Sequence, residues 1–229
     1  AELIRRGFGF VQTLAIGVAA LALLGTVFLL YDSLRTGLSP WRMVESYLAN
    51  SLQENLKLYA ELDLPPEQVA FIRDNAPKLL RFFMTIFPSI ALVSIVACIW
   101  ANLLAGRFLL RIGGIGVVDD VDLSLWKAPE RLIWVLIASG GFLILPVEAT
   151  QIIGINVLIV CAFLYLLQGL SIAGFFFRAK NVPALVRFLF YALLVLQQYL
   201  LIIVAAFGMF DLWVDFRRFI RRRGNQTPS

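Results

Sequence analysis

The sequence predicts an all-α, polytopic helical membrane protein with about five transmembrane helices. Of its 229 residues, 60% are hydrophobic and 15% are charged, whereas a soluble domain is about half apolar and about a quarter charged. Five uncharged runs of 16 to 29 residues explain this excess, since a helix needs about 20 apolar residues to cross a bilayer. The runs are apolar on every side, as in a lipid-embedded helix, and do not alternate like barrel strands.

These five runs define the expected spans of a single membrane domain, 1–229. The third run has only 16 uncharged residues, so its span extends to Glu130 if the polar ends of Glu130 and Arg131 reach the headgroups. The domain closes with a basic tail, 216–229. We expect spans at 7–31, 82–106, 130–147, 150–177 and 186–210.

The long connection between the first two spans predicts a surface helical hairpin at 39–78. Ser39 and Pro40 are typical of a helix start, and apolar residues then recur every three or four positions to Leu62, which indicates an amphipathic helix over 40–62. Two prolines at 65–66 end it, a short helix follows at 67–75, and Pro77 starts the run into the membrane. The apolar stripe packs on the bundle or lies in the headgroups; the alternative is a docking surface for a partner.

Five spans place the amino end, the second connection and the fourth connection on one side of the membrane. That side carries nine Lys and Arg residues and the other side carries eleven. The positive-inside rule cannot separate these two counts. Five arginines follow the last span directly, and this cluster favours a cytoplasmic carboxyl terminus.

The residue types exclude several functional classes. The chain has no His, no carboxylate or cation lies near the middle of a span, and no nucleophile faces a base. We therefore expect no enzyme, no cofactor, no metal and no nucleic-acid partner. The absence of any buried charge argues against a proton pump and favours a scaffold.

Polar side chains inside the spans are the candidate site, because each is costly in lipid and tends to face a cavity or another helix. They are explained either by hydrogen bonds between helices or by an amide- and aromatic-lined pocket for a small neutral or zwitterionic ligand. Gly169 and Ala173 permit close helix approach beside them. The candidate ligand or helix-contact residues are Asn102, Tyr165, Gln168, Ser171, Gln197 and Gln198.

A charged motif closes the last span, formed by Asp211, Asp215, Arg217 and Arg218. Arg218 lies three positions after Asp215 and can pair with it on the same helix. Asp211 has no cation three or four positions ahead, so we expect a partner outside its own helix: a backbone donor, a hydroxyl or a cation of the long connection. The candidate cations there are Arg35, Arg73, Lys78 and Arg81. The alternative is that the motif is only an interfacial anchor.

Three segments together resemble the YybS-like family of uncharacterised bacterial inner-membrane proteins. They are the turn around Gln168, the connection 177–183, and the closing Asp-x-Trp-x-Asp-Phe-Arg at 211–217. The resemblance implies a bacterial inner-membrane location and a chain that corresponds to the later part of the family's length. The family is itself distantly similar to the substrate-binding membrane subunits of energy-coupling-factor vitamin transporters, and it carries no established activity.

Two functions therefore compete. One is a transporter-type membrane subunit that binds a small ligand within the helix bundle, and the other is a non-catalytic scaffold or interaction protein of the cell envelope. The expected partners are the lipid bilayer and a partner membrane subunit or a second copy of the chain. A polar cavity among Gln168, Gln197 and Gln198 would favour the transporter, and dry packing there would favour the scaffold.

Overall fold

A computed structural model describes residues 10–61, 66–112 and 126–216 of the chain. Every regular element within these ranges is an α-helix, which confirms the predicted fold class. Contacts group the chain into two compact units, Ala1–Leu109 and Leu110–Ser229. The single membrane domain, 1–229, stays a prediction.

The described residues of the first unit form three helices: α1 (Phe10–Thr36), α2 (Pro40–Glu61) and α3 (Pro66–Ile112), whose last three residues lie past the end of the unit at Leu109. Both α1 and α3 contain apolar stretches long enough to cross a membrane. Helix α3 includes the second expected span, and α1 includes the first from residue 10 on, since residues 7–9 lie outside the described ranges. Gly37 ends α1 in the left-handed region, with φ of 70°, and its N–H donates to the Ser33 carbonyl. Glycine adopts this conformation at little cost, which explains the stop after Thr36.

Helix α2 agrees with the helix expected at 40–62. Its first turn is capped by the Ser39 hydroxyl, which accepts a hydrogen bond from the Arg42 N–H at 3.4 Å. Along the helix, the half-buried apolar side chains recur at helical spacing on one face, whereas Trp41 is 51% exposed. Those half-buried residues are Val44, Leu48, Leu52, Leu56 and Tyr59.

We expect a spin label on this face of α2 to be protected from an aqueous quencher. Leu52 is half-buried and Glu54, two residues later, is exposed, so labels at Leu52→Cys and Glu54→Cys test the two sides of one helix turn. A paramagnetic nickel chelate should relax the label at 54 several times more strongly than the label at 52. Equal relaxation of the two labels contradicts the amphipathic assignment.

Helix α3 differs from the sequence prediction of a short helix at 67–75 followed by a new start at Pro77. The structure instead has one 47-residue helix with Pro77 and Pro88 inside it. A proline removes one backbone hydrogen bond, and the long flanks on either side preserve the rest of the ladder. At about 1.5 Å per residue the helix is about 70 Å long, more than twice the membrane core.

From residue 126 to residue 216, the second unit contains α4 (Leu132–Ile144), α5 (Glu148–Ala179), α6 (Ala184–Leu196) and α7 (Gln198–Val214). Helix α5 packs against α4 and against α7. In the described part of this unit, α5 alone is long enough by itself to cross a membrane. The 13 residues of α4 extend only about 20 Å.

The expected span at 186–210 is not one straight helix. It is two helices, α6 and α7, bent by 110° at Gln197. The described residues therefore contain three helices long enough to cross a membrane, or four if the bent pair counts as one span, instead of five.

The bend has a physical cause in the different contacts of its two arms. Arg187 on α6 donates from Nε to the Val182 carbonyl at 2.8 Å, and the Phe190 ring packs 5.1 Å from that of Phe177. Helix α7 instead packs against the middle of α5. One straight helix cannot satisfy both contacts, so tertiary packing overrides the uniform apolar run.

Candidate functional site

Helices α5 and α7 approach each other through two glycines. A Cβ on Gly208 would overlap the Tyr165 carbonyl and lie 2.7 Å from the Gly169 nitrogen, and a Cβ on Gly169 would overlap the Val204 carbonyl. The obstacles include backbone atoms, which cannot move as a flexible side chain can. The small residue opposite Gly169 is therefore Gly208 on the neighbouring helix. The spacing of Gly169 and Ala173 in the sequence predicted a close helix approach but did not identify Gly208.

Gln168 lies beside this crossing and is fully buried. Its Oε1 accepts a hydrogen bond from the Ala128 N–H at 3.1 Å, and its Nε2 donates to Asp211 Oδ2 at 3.2 Å. One amide thus joins the non-helical segment before α4 to the end of α7. Non-helical backbone at membrane depth needs such protein partners because lipid offers none.

Asp211 is the second member of this cluster and is only 1% exposed. The expectation that the chain has no buried charged residue type is therefore wrong. Asp211 Oδ1 accepts a hydrogen bond from the Phe216 N–H at 2.9 Å. Its partners thus include a backbone N–H after its own helix and the amide of Gln168 on a neighbouring helix.

The turn that brings Phe216 back to Asp211 depends on Asp215. Asp215 ends α7 with φ of 43°, in the left-handed region, and its N–H donates to the Asp211 carbonyl at 3.1 Å. Aspartate tolerates this conformation better than most non-glycine residues. The motif therefore builds a closed turn around the Asp211 carboxyl group.

The segment 126–128 is held to the same cluster by two further contacts. Ser171 Oγ donates to the Trp126 carbonyl at 3.1 Å, and Lys127 Nζ lies 3.5 Å from Asp215 Oδ1. The end of the second connection is thus adjacent to the end of α7, although five spans would put them on opposite sides of the membrane. Arg217 and Arg218 lie outside the described residues, so the expected Asp215–Arg218 pair is not described.

The structure brings some of the candidate residues together and separates the others. Tyr165, Gln168 and Ser171 are buried on α5 near Asp211, and the Tyr165 hydroxyl has no hydrogen-bond partner among the described residues. Gln197 and Gln198 are exposed at the α6–α7 bend. Asn102 belongs to the other unit, where its side chain donates to the Cys98 carbonyl of its own helix. Within the second unit, Gln197 and Gln198 thus lie apart from the buried stretch of α5 that carries Tyr165, Gln168 and Ser171.

The hydrogen bonds of Gln168 and Asp211 link separate segments of the fold within an apolar helix bundle. Both functional atoms of the Gln168 side chain are engaged, and both Asp211 carboxyl oxygens accept. The backbone partners from Ala128 and Phe216 could not be found by sequence reasoning, because every residue but proline has an N–H.

Comparison with known proteins identifies a family but no individual relative. A family model described as a predicted membrane protein, DUF2232, matches residues 1–212, which include Gln168, Asp211 and both glycines of the crossing. No curated protein and no solved structure matches the chain. The match agrees with the resemblance to uncharacterised YybS-like membrane proteins. Because it covers most of the sequence, the chain belongs to the DUF2232 family of predicted membrane proteins.

Proposed function

We propose that this protein is a non-catalytic membrane scaffold or interaction protein of the bacterial inner membrane. The proposal rests on the hydrogen bonds of Gln168, the most deeply buried candidate residue. Its side-chain amide is hydrogen-bonded to Ala128 on one side and to Asp211 on the other. An amide that serves the fold at both ends is not available to a ligand. The glycine crossing beside it leaves no room for a side chain, let alone a ligand.

A scaffold acts through lipid and protein partners. The apolar surface of α1 is suited to contacts with both. Large apolar side chains cover much of this helix, including Leu23, Leu24 and Phe28, which are 62–66% exposed. Such a helix contacts lipid on some faces and, in an assembly, another membrane helix. The proposed partners are the bilayer and either a partner membrane subunit or a second copy of this chain.

Native purification tests the proposal. The tagged full chain is extracted in a mild detergent, and its co-purifying proteins, lipids and small molecules are measured by mass spectrometry. We expect a defined protein complex or homo-oligomer. Recovery of a monomer that carries a stoichiometric small molecule contradicts it.

A transporter-type membrane subunit is the second candidate, and the break at Gln197 favours it. Discontinuous helices often form the substrate sites of transporters, and here Gln197 and Gln198 are exposed at such a break. This function predicts a small molecule that co-purifies with the wild-type chain and is lost from the Gln197→Ala/Gln198→Ala variant. Asn102→Ala, which removes an exposed amide in the other unit, is the matched control.

A further inference from the structure

The turn between α5 and α6 carries a cluster of positive charge. The sequence from 149 to 210 contains three charged residues, and all of them are cations: Arg178, Lys180 and Arg187. Arg178 directly follows the uncharged run 149–177, so it stands where α5 leaves the apolar part of the membrane. No carboxylate in the described part of the chain pairs with Lys180 or Arg187. The positive charge of this turn is therefore not neutralised by acidic side chains of its own segment.

The negative end of the α5 helix dipole offsets only part of this charge. The carboxyl end of a helix carries about half a negative charge, whereas the turn carries three cations. Its backbone acceptors are also used within the turn. The Phe177 carbonyl accepts from the Val182 N–H at 3.0 Å, and the Arg178 carbonyl accepts from the Asn181 N–H at 3.1 Å. Capping of α5 thus explains a part of the cluster and leaves an excess of positive charge.

Arg187 is held in a fixed position and still has donors to offer. Its Nε donates to the Val182 carbonyl at 2.8 Å, and its Nη2 donates to the Phe177 carbonyl at 3.4 Å. These two bonds fix the plane of the guanidinium group. A guanidinium has five N–H donors, and within the described ranges Arg187 makes no other hydrogen bond. The remaining donors have the planar geometry that matches the oxygens of a phosphate group.

A tyrosine hydroxyl lies beside these cations. The Tyr191 ring packs edge-on against Phe177 and Phe190, with ring centroids 6.1 Å and 5.5 Å apart, and these contacts hold the ring in place. The Tyr191 hydroxyl lies within electrostatic range of the guanidinium groups of Arg187 and Arg178. Because Tyr191 is 41% exposed, a molecule outside the protein can reach this side chain. The turn therefore presents a fixed hydroxyl next to two guanidinium groups.

An exposed apolar surface begins next to this cluster. Phe188 lies three positions before Tyr191 and Val195 lies four positions after it, so the three side chains share one face of α6. Phe188 and Val195 are 68% and 82% exposed, and Leu185 and Leu189 are also exposed. Tyrosine is enriched where headgroups meet acyl chains. The ligand that fits the whole surface has an anionic head and apolar tails.

We infer that the α5–α6 turn binds the phosphate of an anionic phospholipid. Arg178, Lys180 and Arg187 attract the headgroup, and Arg187 and Tyr191 donate hydrogen bonds to its phosphate oxygens. The acyl chains of the lipid lie against the exposed apolar face of α6. Basic surface clusters favour anionic lipids in this way because each cation adds to the attraction. The inference does not depend on the scaffold function, since a transporter subunit would present the same turn.

Lipid binding to the purified full chain tests the site. Palmitoyl-oleoyl phosphatidylglycerol is titrated into the protein in detergent, and bound lipid is counted by native mass spectrometry. The Arg178→Gln/Lys180→Gln variant should bind its tightest phosphatidylglycerol about tenfold or more weakly than the wild type. The matched control, Arg42→Gln/Lys57→Gln, removes two exposed cations from α2 and should change the affinity by about twofold or less. A loss in the first variant that is no greater than the loss in the control overturns the site.

A second variant tests the hydroxyl without changing the charge of the turn. Tyr191→Phe keeps the ring that packs against Phe177 and Phe190, so its thermal unfolding temperature should equal that of the wild type. Loss of the hydroxyl should weaken phosphatidylglycerol binding about threefold or more, because one hydrogen bond to the phosphate is removed. Wild-type affinity in this variant contradicts the placement of the phosphate beside Tyr191.

Two competing ligands identify the source of the phosphate. Phosphatidylcholine has a phosphate but no net charge, and it should bind the wild type about fivefold or more weakly than phosphatidylglycerol. Millimolar glycerol 3-phosphate, which lacks acyl chains, should not displace phosphatidylglycerol. Displacement by glycerol 3-phosphate would mean that the turn takes a soluble phosphate ester, and equal binding of phosphatidylcholine would mean that the negative charge of the headgroup is not recognised. Either result overturns the anionic phospholipid as the ligand.

Discussion

Replacing Gly208 by alanine is expected to lower the thermal unfolding temperature of the protein in detergent by about 5–10 °C. A Cβ at this position would overlap the Tyr165 carbonyl and crowd the Gly169 nitrogen. The two helices must separate to admit it, which costs about 2–3 kcal/mol, the usual scale for overpacking. In a chain of this length each kcal/mol corresponds to about 2–4 °C.

A control on α5 separates this effect from the general consequence of adding a methyl group. At Gly174 a Cβ would meet nothing within 4 Å, so Gly174→Ala should leave the unfolding temperature unchanged or raise it, because alanine favours a helix over glycine by up to about 1 kcal/mol. Gly169→Ala should behave like Gly208→Ala, since its Cβ would overlap the Val204 carbonyl. If Gly208→Ala is as stable as Gly174→Ala, α5 and α7 do not pack through these glycines.

The fold class follows from composition alone, and so does the amphipathic helix α2. Its start at Ser39–Pro40 and its apolar spacing are local properties of the chain, so sequence reasoning placed it within one residue at its end. Uncharged length also located α1, α3 and α5. Each of these helices follows from the pattern of polar and apolar residues within its own segment, so no contact with another segment is needed to predict it.

The bend at Gln197 could not be predicted, because it results from where α6 and α7 each contact α5. A continuous apolar run is equally compatible with a straight span and with two shorter helices. The continuation of α3 through Pro77 was not predicted either. Proline weakens a helix locally, but the long helical segments on both sides of it determine whether the helix continues. Counting uncharged residues therefore gives the number of apolar segments, whereas three or four helices in the described part of the chain are long enough to cross a membrane.

The candidate site was predicted in part. Gln168 and Asp211 stand out in the sequence because a polar group at membrane depth needs a partner, yet their pairing joins residues 43 positions apart. The remaining partners are backbone groups of Ala128 and Phe216, which no side-chain pattern marks. Gln197 and Gln198 lie exposed at the bend, at the opposite end of α7 from Asp211.

Asp211→Asn is expected to destabilise the protein more than Asp215→Asn. The Asp211 carboxyl oxygens accept from the Gln168 amide and from the Phe216 N–H. An asparagine side chain has one acceptor oxygen, and its amide nitrogen would face the other donor. A buried donor left without an acceptor costs about 1–3 kcal/mol, which corresponds to about 4–8 °C for a loss near 2 kcal/mol.

The same substitution at Asp215 provides a matched control on the next turn of the chain. Its ion pair with Lys127 spans 3.5 Å between side chains that are 34% and 47% exposed, and such exposed pairs contribute about 0–1 kcal/mol. Asparagine also accepts the left-handed backbone at this position. We therefore expect Asp215→Asn to shift the unfolding temperature by about 4 °C or less. Both variants are compared with the wild type by thermal unfolding in one detergent. If the two substitutions have equal effects, or Asp215→Asn has the larger one, the buried Asp211–Gln168 contact does not stabilise the fold and the closing motif is only an interfacial anchor.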